Sequence, residues 1–127
     1  MKRLARFAGV VGAGAALAAA GPSALSRAEG GLWEIARGKS DPVQVCIANP
    51  AMFAQFEHRK AKCSRSVIRD DGTRATVHYT CAGGGFGQSD VTMLTPRSLR
   101  VETQGISDGA PFKYKLQAHR VGDCPAH

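Results

Sequence analysis

The stretch TCAGGGFGQSD (residues 80–90) places three consecutive glycines and a fourth close behind a cysteine, a composition found in loops that hold phosphate. Such loops run from a strand directly into a helix, whose N-terminal N–H groups hold the anion. Here the glycines are followed by residues 88–94, which alternate as a strand does, and glutamine stands at position 88 where the dinucleotide fingerprint requires glycine. The segment therefore predicts a bulge, a wide turn or a close approach between strands, and no cofactor site.

The sequence Gly105-Ile106-Ser107-Asp108-Gly109 matches the Gly-x-Ser-x-Gly turn that presents a nucleophilic serine in α/β hydrolases. That turn joins a buried parallel strand to a helix within a much larger fold. In this chain Ser107 lies between two alternating segments, so the sequence indicates an ordinary turn. We expect no catalytic serine and, because no other nucleophile–base pair is evident, no enzyme.

Metal binding is the third chemistry that these residue types suggest. The four histidines have no pair at three- or four-residue spacing, and the four cysteines are far apart without a Cys-x-x-Cys pair. The sequence therefore predicts no metal site and no redox-active dithiol. The histidines are His58, His78, His119 and His127. His78 and His119 fall on the polar side of predicted strands, so we expect them at the surface.

The N-terminus resembles a secretory signal peptide. A basic cluster, Met1-Lys2-Arg3-Leu4-Ala5-Arg6, precedes the uncharged residues 7–20, and this apolar run is shorter than the roughly 20 residues that a membrane-spanning helix needs. Small residues permit cleavage after Ala20 or after Ala28, and we assign residues 1–28 to the signal peptide and residues 29–127 to one mature domain. This predicts export to the periplasm by the general secretory route, with no membrane span in the mature chain.

Charge argues against nucleic acid as a partner. The whole chain has 17 basic and 10 acidic side chains, a net charge of +7. Four of the basic side chains and no acidic one lie in residues 1–28, so the mature chain has 13 basic and 10 acidic side chains and a net charge of +3. The remaining positive charge is spread along the chain rather than gathered in one patch, so we predict no nucleic-acid binding.

The hydrophobic pattern predicts a mainly-β protein. Apolar and polar residues alternate from residue 31 to residue 38, and again through most of the chain after residue 63. One helix is predicted between them, with Asn49 as its N-cap and Pro50 in its first turn. His58 and the basic residues after it are expected to form a solvated helix end. We therefore expect a curled antiparallel β-meander of about six strands, half-barrel-like, with one short α-helix.

The cysteines of an exported protein are expected to form disulfides, and four cysteines allow three pairings. Asp71-Gly72 predicts a hairpin, and an odd number of turn residues with Gly72 in the left-handed conformation would place Cys63 and Cys81 on the same side of it. We therefore predict Cys63–Cys81, which leaves Cys46–Cys124. The main alternative pairs Cys46 with Cys63 around the helix.

Five short motifs occur in a fixed order along the mature chain: Gly31-Leu32-Trp33-Glu34, Val45-Cys46-Ile47, Lys62-Cys63, Tyr79-Thr80-Cys81 and Arg120-Val121-Gly122-Asp123-Cys124. In this combination the chain resembles the domain-of-unknown-function family 3617, which consists of small exported bacterial proteins. The resemblance implies an envelope location and a β-rich domain, and it transfers no catalytic residue. The segment between Trp33 and Cys46 is short and lacks the methionine- and proline-rich stretch that many members carry.

These observations lead to a hypothesis of function. We expect a non-catalytic protein that binds an envelope component or a small apolar ligand on the concave face, or a protein partner along a sheet edge. The alternative is an inhibitor or accessory subunit of an envelope enzyme. Trp33, Phe112 and Tyr114 are expected in the core rather than in a ligand groove. An apolar cavity between sheet and helix would favour the small ligand, and a filled core would favour surface recognition.

Overall fold

A computed structural model describes residues 23–126, which form one seven-stranded antiparallel sheet with two short helical segments on it. The helical segments are α1 (Ser23–Ser26) and a 3₁₀ helix (Pro50–His58). The strands are β1 (Gly31–Arg37), β2 (Val43–Ile47), β3 (Cys63–Asp70), β4 (Arg74–Cys81), β5 (Phe86–Thr95), β6 (Ser98–Ser107) and β7 (Ala110–Gly122). The mainly-β prediction is confirmed, with one strand more than the expected number.

The strands are ordered β2-β1-β7-β6-β5-β4-β3, and the sheet does not close into a barrel. Strands β3 to β7 follow one another as a meander, because each is joined to the next by a short turn. The β1–β2 hairpin is added on the far side, where β1 pairs with β7. Strands β2 and β3 are therefore the two free edges, and the 3₁₀ helix lies on the chain segment that leads from one edge to the other.

The predicted helix is present, but its turns are of the 3₁₀ type. The Asn49 side chain accepts a hydrogen bond of 3.0 Å from the Ala51 N–H, which is the expected N-cap. Gln55 interrupts the helical backbone with φ −133°, and its buried side-chain amide donates to the carbonyls of His58 (2.9 Å) and Ala61 (3.2 Å). These bonds satisfy carbonyls at and just beyond the end of the helix. The segment is therefore a 3₁₀ helix with a kink at Gln55 and a side-chain cap at its end, and not a regular α-helix.

The core lies between the sheet and the two helical segments. Trp33 is fully buried, its ring meets that of Phe53 edge-on at 5.0 Å, and its Nε1–H donates to the Glu29 carbonyl at 3.0 Å. Strands β1, β4, β5 and β6 bury every second residue over most of their length, as the alternation predicts, whereas the edge strand β2 buries only Ile47 and β3 buries none. The buried apolar residues include Trp33, Ile35, Ile47, Phe53, Phe56, Val77, Val91, Leu99, Val101 and Leu116. We call the face that carries this core the inner face, and the opposite face the outer face.

The packed body begins before Glu29, where we had placed the start of the mature domain. In α1, Ala24 and Leu25 are 0% and 2% exposed, and Leu25 belongs to the core. The Ala28 N–H donates to the Leu25 carbonyl at 3.1 Å, and the Glu29 N–H donates to the Pro96 carbonyl at 2.9 Å. Residues 1–22, which contain the basic and apolar parts of the predicted signal peptide, lie outside the described residues.

The β3–β4 hairpin aligns Cys63 with Cys81. The two residues face the same side because β3 contains a bulge, and not because of the number of residues in the turn. Val67 pairs with Val77, whereas Arg69 pairs with Thr76, so one residue of β3 has no partner. Gly72 has the expected positive φ, +89°. With the extra residue in β3, Cys63 and Cys81 stand directly opposite each other, with 3.9 Å between their Cα atoms.

Both predicted cysteine pairs lie at disulfide distance, and no described cysteine is free. Cys46 on the edge strand β2 meets Cys124, which follows β7, with 5.4 Å between the Cα atoms. Because β1 lies between β2 and β7, this pair fastens the chain end across the β1–β2 hairpin. The alternative pairing of Cys46 with Cys63 does not occur in this fold.

Candidate functional site

The glycine-rich segment is a turn between β4 and β5, followed directly by a strand and not by a helix. Gly84 has φ +100° in this turn. Gly85 lies against the imidazole of His58, and a β-carbon on Gly87 would stand 2.8 Å from the Tyr79 hydroxyl oxygen. The glycines thus permit one tight turn and two close approaches, which is the structural role expected from the sequence.

Ser107 lies where β6 turns into β7. Asp108 (φ +51°) and Gly109 (φ +79°) are the two residues between the strands, and Ser107 pairs with Ala110 across the turn. Positive φ at both central residues is typical of the two-residue hairpin turn whose twist matches antiparallel strands. The Gly-x-Ser-x-Gly match is therefore a hairpin turn in this fold.

The histidines do not gather into one site. His78 and His119 are exposed on the outer face, as expected, and His127 lies outside the described residues. Within residues 23–126, no group of three or more His, Cys, Asp or Glu side chains is arranged to hold a metal ion. In the same part of the chain, no helix has the length and apolar character that crossing a bilayer requires.

His58 differs from its prediction, because it is packed onto the sheet rather than solvated. Its Nδ1 is 2.8 Å from the Tyr79 hydroxyl, and its ring lies 5.4 Å from the Tyr79 ring and 5.8 Å from the Phe112 ring. Nε2 is buried and has no hydrogen-bond partner in the described part of the chain. Because these contacts hold the ring against the sheet, His58 is not part of an exposed basic cluster.

A second polar contact lies beside it on the inner face. The Tyr114 hydroxyl donates to Glu57 Oε1 at 3.0 Å, and the Arg37 guanidinium lies 3.7 Å from the centre of the Tyr114 ring. Burial, and then the hydrogen bond to Glu57, raise the pKa of Tyr114 far above its ordinary value. Burial, and then the charge of Glu57, raise the pKa of Tyr79 to about 12. Both phenols therefore stay neutral and hold the helix on the sheet.

The space between the helix and the sheet is filled. Phe53 is 0%, Leu116 1% and Phe56 3% exposed, and Tyr114 packs against them. Phe53 and Phe56 stack with 6.2 Å between ring centres. The described core thus gives no support to a ligand held between helix and sheet. A ligand would have to bind elsewhere, for example on the outer face.

On the outer face, residues that pair across neighbouring strands form rows, and each row is named after the type of side chain that occurs most often in it. There are four such rows, and each contains one residue from β4, β5, β6 and β7, in that order. The apolar row is Thr80, Phe86, Ile106 and Pro111. The amide row is His78, Gln88, Gln104 and Lys113. The acidic row is Thr76, Asp90, Glu102 and Lys115. The basic row is Arg74, Thr92, Arg100 and Gln117.

A groove of about 670 Å³ lies between the apolar row and the amide row, and we call it the outer-face groove. Phe86 is 46% exposed there, beside the partly buried Ile106 and the exposed Pro111. His78 and Lys113 stand on the polar side of the groove, and His78 Nε2 is 2.6 Å from Gln88 Oε1. An apolar patch of this kind on an otherwise polar face is typical of a recognition surface.

The groove was not predicted from the sequence. The available signal was that Phe86, Ile106 and Pro111 occupy positions at which neighbouring strand residues on the same side are polar. These three residues meet in one row because of the register of three strand pairs. The alternation of residues within a single strand does not reveal that register.

The first and last of the five short motifs of the chain also meet, at the far end of the sheet. Arg120 is largely buried, and its Nε donates to the Gly30 carbonyl at 2.8 Å while Nη2 bonds Asp123 at 2.6 Å. Gly31 is required here, because a β-carbon would stand 2.5 Å from Arg120 Nε. This contact ties β1 to the end of β7 and has a structural role.

Comparison with known proteins identifies a family. The family model described as "Protein of unknown function (DUF3617)" matches residues 28–124. No curated protein and no solved structure matches the chain.

Proposed function

Because this chain belongs to the DUF3617 family, whose function is unknown, we propose its function from its own surface: it is an exported, non-catalytic binding module of the cell envelope. The observation that carries this proposal is the outer-face groove, in which Phe86, Ile106 and Pro111 form an exposed apolar row on a polar sheet face. The two cysteine pairs are consistent with an oxidising compartment such as the periplasm.

A binding role fits the arrangement of the polar groups better than catalysis does. The titratable side chains of the inner face are engaged in packing contacts, with His58 bonded to Tyr79 and Glu57 bonded to Tyr114. His58 Nε2, the nitrogen that a general base would use, is enclosed and has no access to a substrate. Nucleic acid is not favoured as the partner, since on the outer face the acidic row lies directly beside the basic row and would repel a phosphate backbone.

The groove is tested with the uncharged apolar dye Nile red, whose fluorescence rises in apolar surroundings. We expect the native protein to bind the dye, and Phe86→Ser to weaken binding about tenfold, because the exposed ring supplies much of the apolar contact. Leu94→Ser is the matched control. Leu94 is on the same strand and the same face and is 50% exposed, but it lies outside the groove.

Envelope fractions then identify the class of natural occupant. Lipid extract, soluble peptidoglycan fragments and periplasmic proteins are each added to the dye-loaded protein, and we expect one class to displace the dye. Equal effects of the two serine substitutions on dye binding would count against the groove as a binding site and against the proposed function.

A second candidate function is supported by the free edge of β3. Seven of its eight residues, Ser64 to Asp70, are exposed, and Val67 and Ile68 are 44% and 56% exposed. Such an edge can pair with a strand of another protein, as an inhibitor or accessory subunit of an envelope enzyme would require. Recovery of one stoichiometric protein whose binding survives Phe86→Ser would favour this function over the first.

A further inference from the structure

We propose that the outer-face groove binds an extended peptide segment of a partner protein, in which an apolar anchor residue is followed by acidic residues. The inference rests on the proposed function, because it names the occupant of the same groove. It is carried by the shape of the groove, by the spacing of the four rows and by the charges that the fold leaves unpaired.

The shape favours one side chain of a larger partner over a whole small molecule. Sites for small ligands are concave and enclose most of the ligand surface. This groove lies on the open outer face of the sheet, and Phe86 remains 46% exposed in it. A small apolar ligand would therefore keep much of its surface in water. A peptide needs to bury only its anchor side chain against Phe86, Ile106 and Pro111.

The spacing of the rows matches an extended chain. Successive rows are two residues apart along each strand, for example Phe86, Gln88 and Asp90 on β5. Two strand residues advance about 7 Å, and alternate side chains of an extended peptide lying along the strands are separated by the same distance. An anchor in the apolar row therefore brings the side chain two positions later to the amide row, and the side chain six positions later to the basic row.

The amide row offers hydrogen bonds as well as charge. The Gln88 side chain is joined to His78, whereas the side-chain amide of Gln104 has no partner among residues 23–126. A glutamine amide both donates and accepts, so it can bond the backbone of a chain that lies over it. Gln104 pairs directly with Lys113 across the strands. A hydrogen bond from the peptide to Gln104 and an ion pair from the peptide to Lys113 would therefore lie side by side.

The charges available on this face are positive. Asp90 accepts a hydrogen bond of 2.5 Å from Thr76, and Glu102 Oε1 lies 3.7 Å from Lys115 Nζ. In contrast, Lys113 and Arg100 are exposed and form no salt bridge within the described part of the chain. Complementary charge on a partner is therefore acidic. The expected partner sequence has an apolar residue, an acidic residue two positions later and a second acidic residue six positions later.

A random peptide library displayed on phage, selected against the purified mature protein, tests this inference. We expect the selected peptides to combine an aromatic or aliphatic residue with Asp or Glu at the two stated spacings. A synthetic peptide of the selected sequence is then titrated against the native protein and its variants. Lys113→Glu and Arg100→Glu should each weaken binding about fivefold, as expected for an exposed charge pair, and added salt should weaken it as well.

Matched variants separate charge from folding. Lys39→Glu makes the same charge change in the β1–β2 turn, outside the groove, and should leave affinity unchanged. Lys113→Gln keeps a polar side chain and should give an intermediate affinity. Peptides without enriched acidic residues, or affinities unchanged by Lys113→Glu, would overturn the inference.

The remaining outcomes distinguish this inference from the proposed function. Sodium palmitate is included because a fatty acid shares the apolar chain and an anionic group but has a single charge, so it cannot pair with Lys113 and Arg100 at the same time. Displacement of Nile red by palmitate, with no selected peptide that binds, would overturn the peptide inference and leave the groove as a binding site. If neither the dye nor a peptide binds, both the inference and the proposed function fail.

Discussion

The imidazole of His58 lies directly on Gly85, at the point where the 3₁₀ helix meets the glycine-rich turn. A β-carbon on Gly85 would overlap the ring atoms Nε2 and Cδ2 of His58. The contact fixes the end of the helix on the sheet, because the same ring bonds the Tyr79 hydroxyl at 2.8 Å. The absence of a side chain at Gly85 is therefore needed for this packing.

Gly85→Ala is expected to lower the free energy of unfolding by about 1–3 kcal/mol, because the imidazole must shift and its bond to Tyr79 is strained or lost. Urea denaturation measures the change. Gly83→Ala is the matched control in the same turn, since a β-carbon at Gly83 meets nothing within 4 Å. Equal stabilities of the two variants would contradict the packing role of Gly85.

The burial of Leu25 predicts where the mature chain begins. Cleavage after Ala28 would remove Leu25 from the core, whereas cleavage after Ala20 would retain it. We therefore expect N-terminal sequencing of the exported protein to start at Gly21. In that chain Leu25→Ala should cost about 2–5 kcal/mol of stability, as other buried leucines do.

Ile68→Ala, at a position that is 56% exposed, serves as the control for Leu25→Ala and should change stability little. A mature chain that starts at Glu29 and is fully stable would show that α1 is dispensable. The domain boundary expected from the sequence would then stand.

The two disulfides are expected to contribute unequally. Cys46–Cys124 spans a sequence separation of 78 residues, and Cys63–Cys81 spans 18. In the loop-entropy account these closures contribute about 4.5 and about 3 kcal/mol. The double variant Cys46→Ala with Cys124→Ala should therefore unfold at a lower urea concentration than Cys63→Ala with Cys81→Ala. The reverse order would show that contacts between β3 and β4, and not loop closure, determine the effect.

The two tyrosines predict a loss of stability in alkali. Both phenols have raised pKa values in the folded protein, about 12 for Tyr79 against an ordinary value of 10.0. Their contribution to stability is complete below pH 10.0, where they are neutral in both states, and it is lost as pH rises from 10.0 through about 12. Urea unfolding at several pH values measures this loss of stability. In the native protein, tyrosinate absorbance should appear only at pH values above the range in which tyrosine ordinarily ionises.

Tyr79→Phe provides the control for this pH dependence. It removes one phenol while keeping the ring that packs against His58, so the fall in stability above pH 10.0 should become shallower. An unchanged pH profile would mean that Tyr79 ionises as freely in the folded protein as in the unfolded chain.

Much of this fold could be predicted from the sequence because its signals are local. The alternation of Trp33 and Ile35 predicted which face of β1 is buried, and both side chains are. Asn49 and Pro50 marked the start of the helix, and Gly72 marked the hairpin turn. Turn residues and period-two alternation act within a few residues, so they can be recognised without knowledge of the sheet.

The helix type, the packing of His58 and the inclusion of Leu25 could not be predicted in the same way. Gln55 kinks the helix because it finds carbonyls at His58 and Ala61, and Arg65 of β3 donates to its side-chain oxygen at 2.5 Å. That last contact depends on how the helix crosses the sheet. The residue pattern of the helix alone, or of β3 alone, therefore cannot predict this contact.

By itself, the sequence determined the strands, their buried faces, the turns and the cysteines that can meet, since alternation and turn chemistry depend on near neighbours in the chain. Only the tertiary structure decided that β1 joins β7, that Phe86, Ile106 and Pro111 form one apolar row, and that Lys113 stands beside it without an ion pair to any of residues 23–126. The physical reason is register. Each row joins residues from separate strands, and a shift of one residue in a single pair would turn a whole strand over and break up the surface on which the proposed function depends.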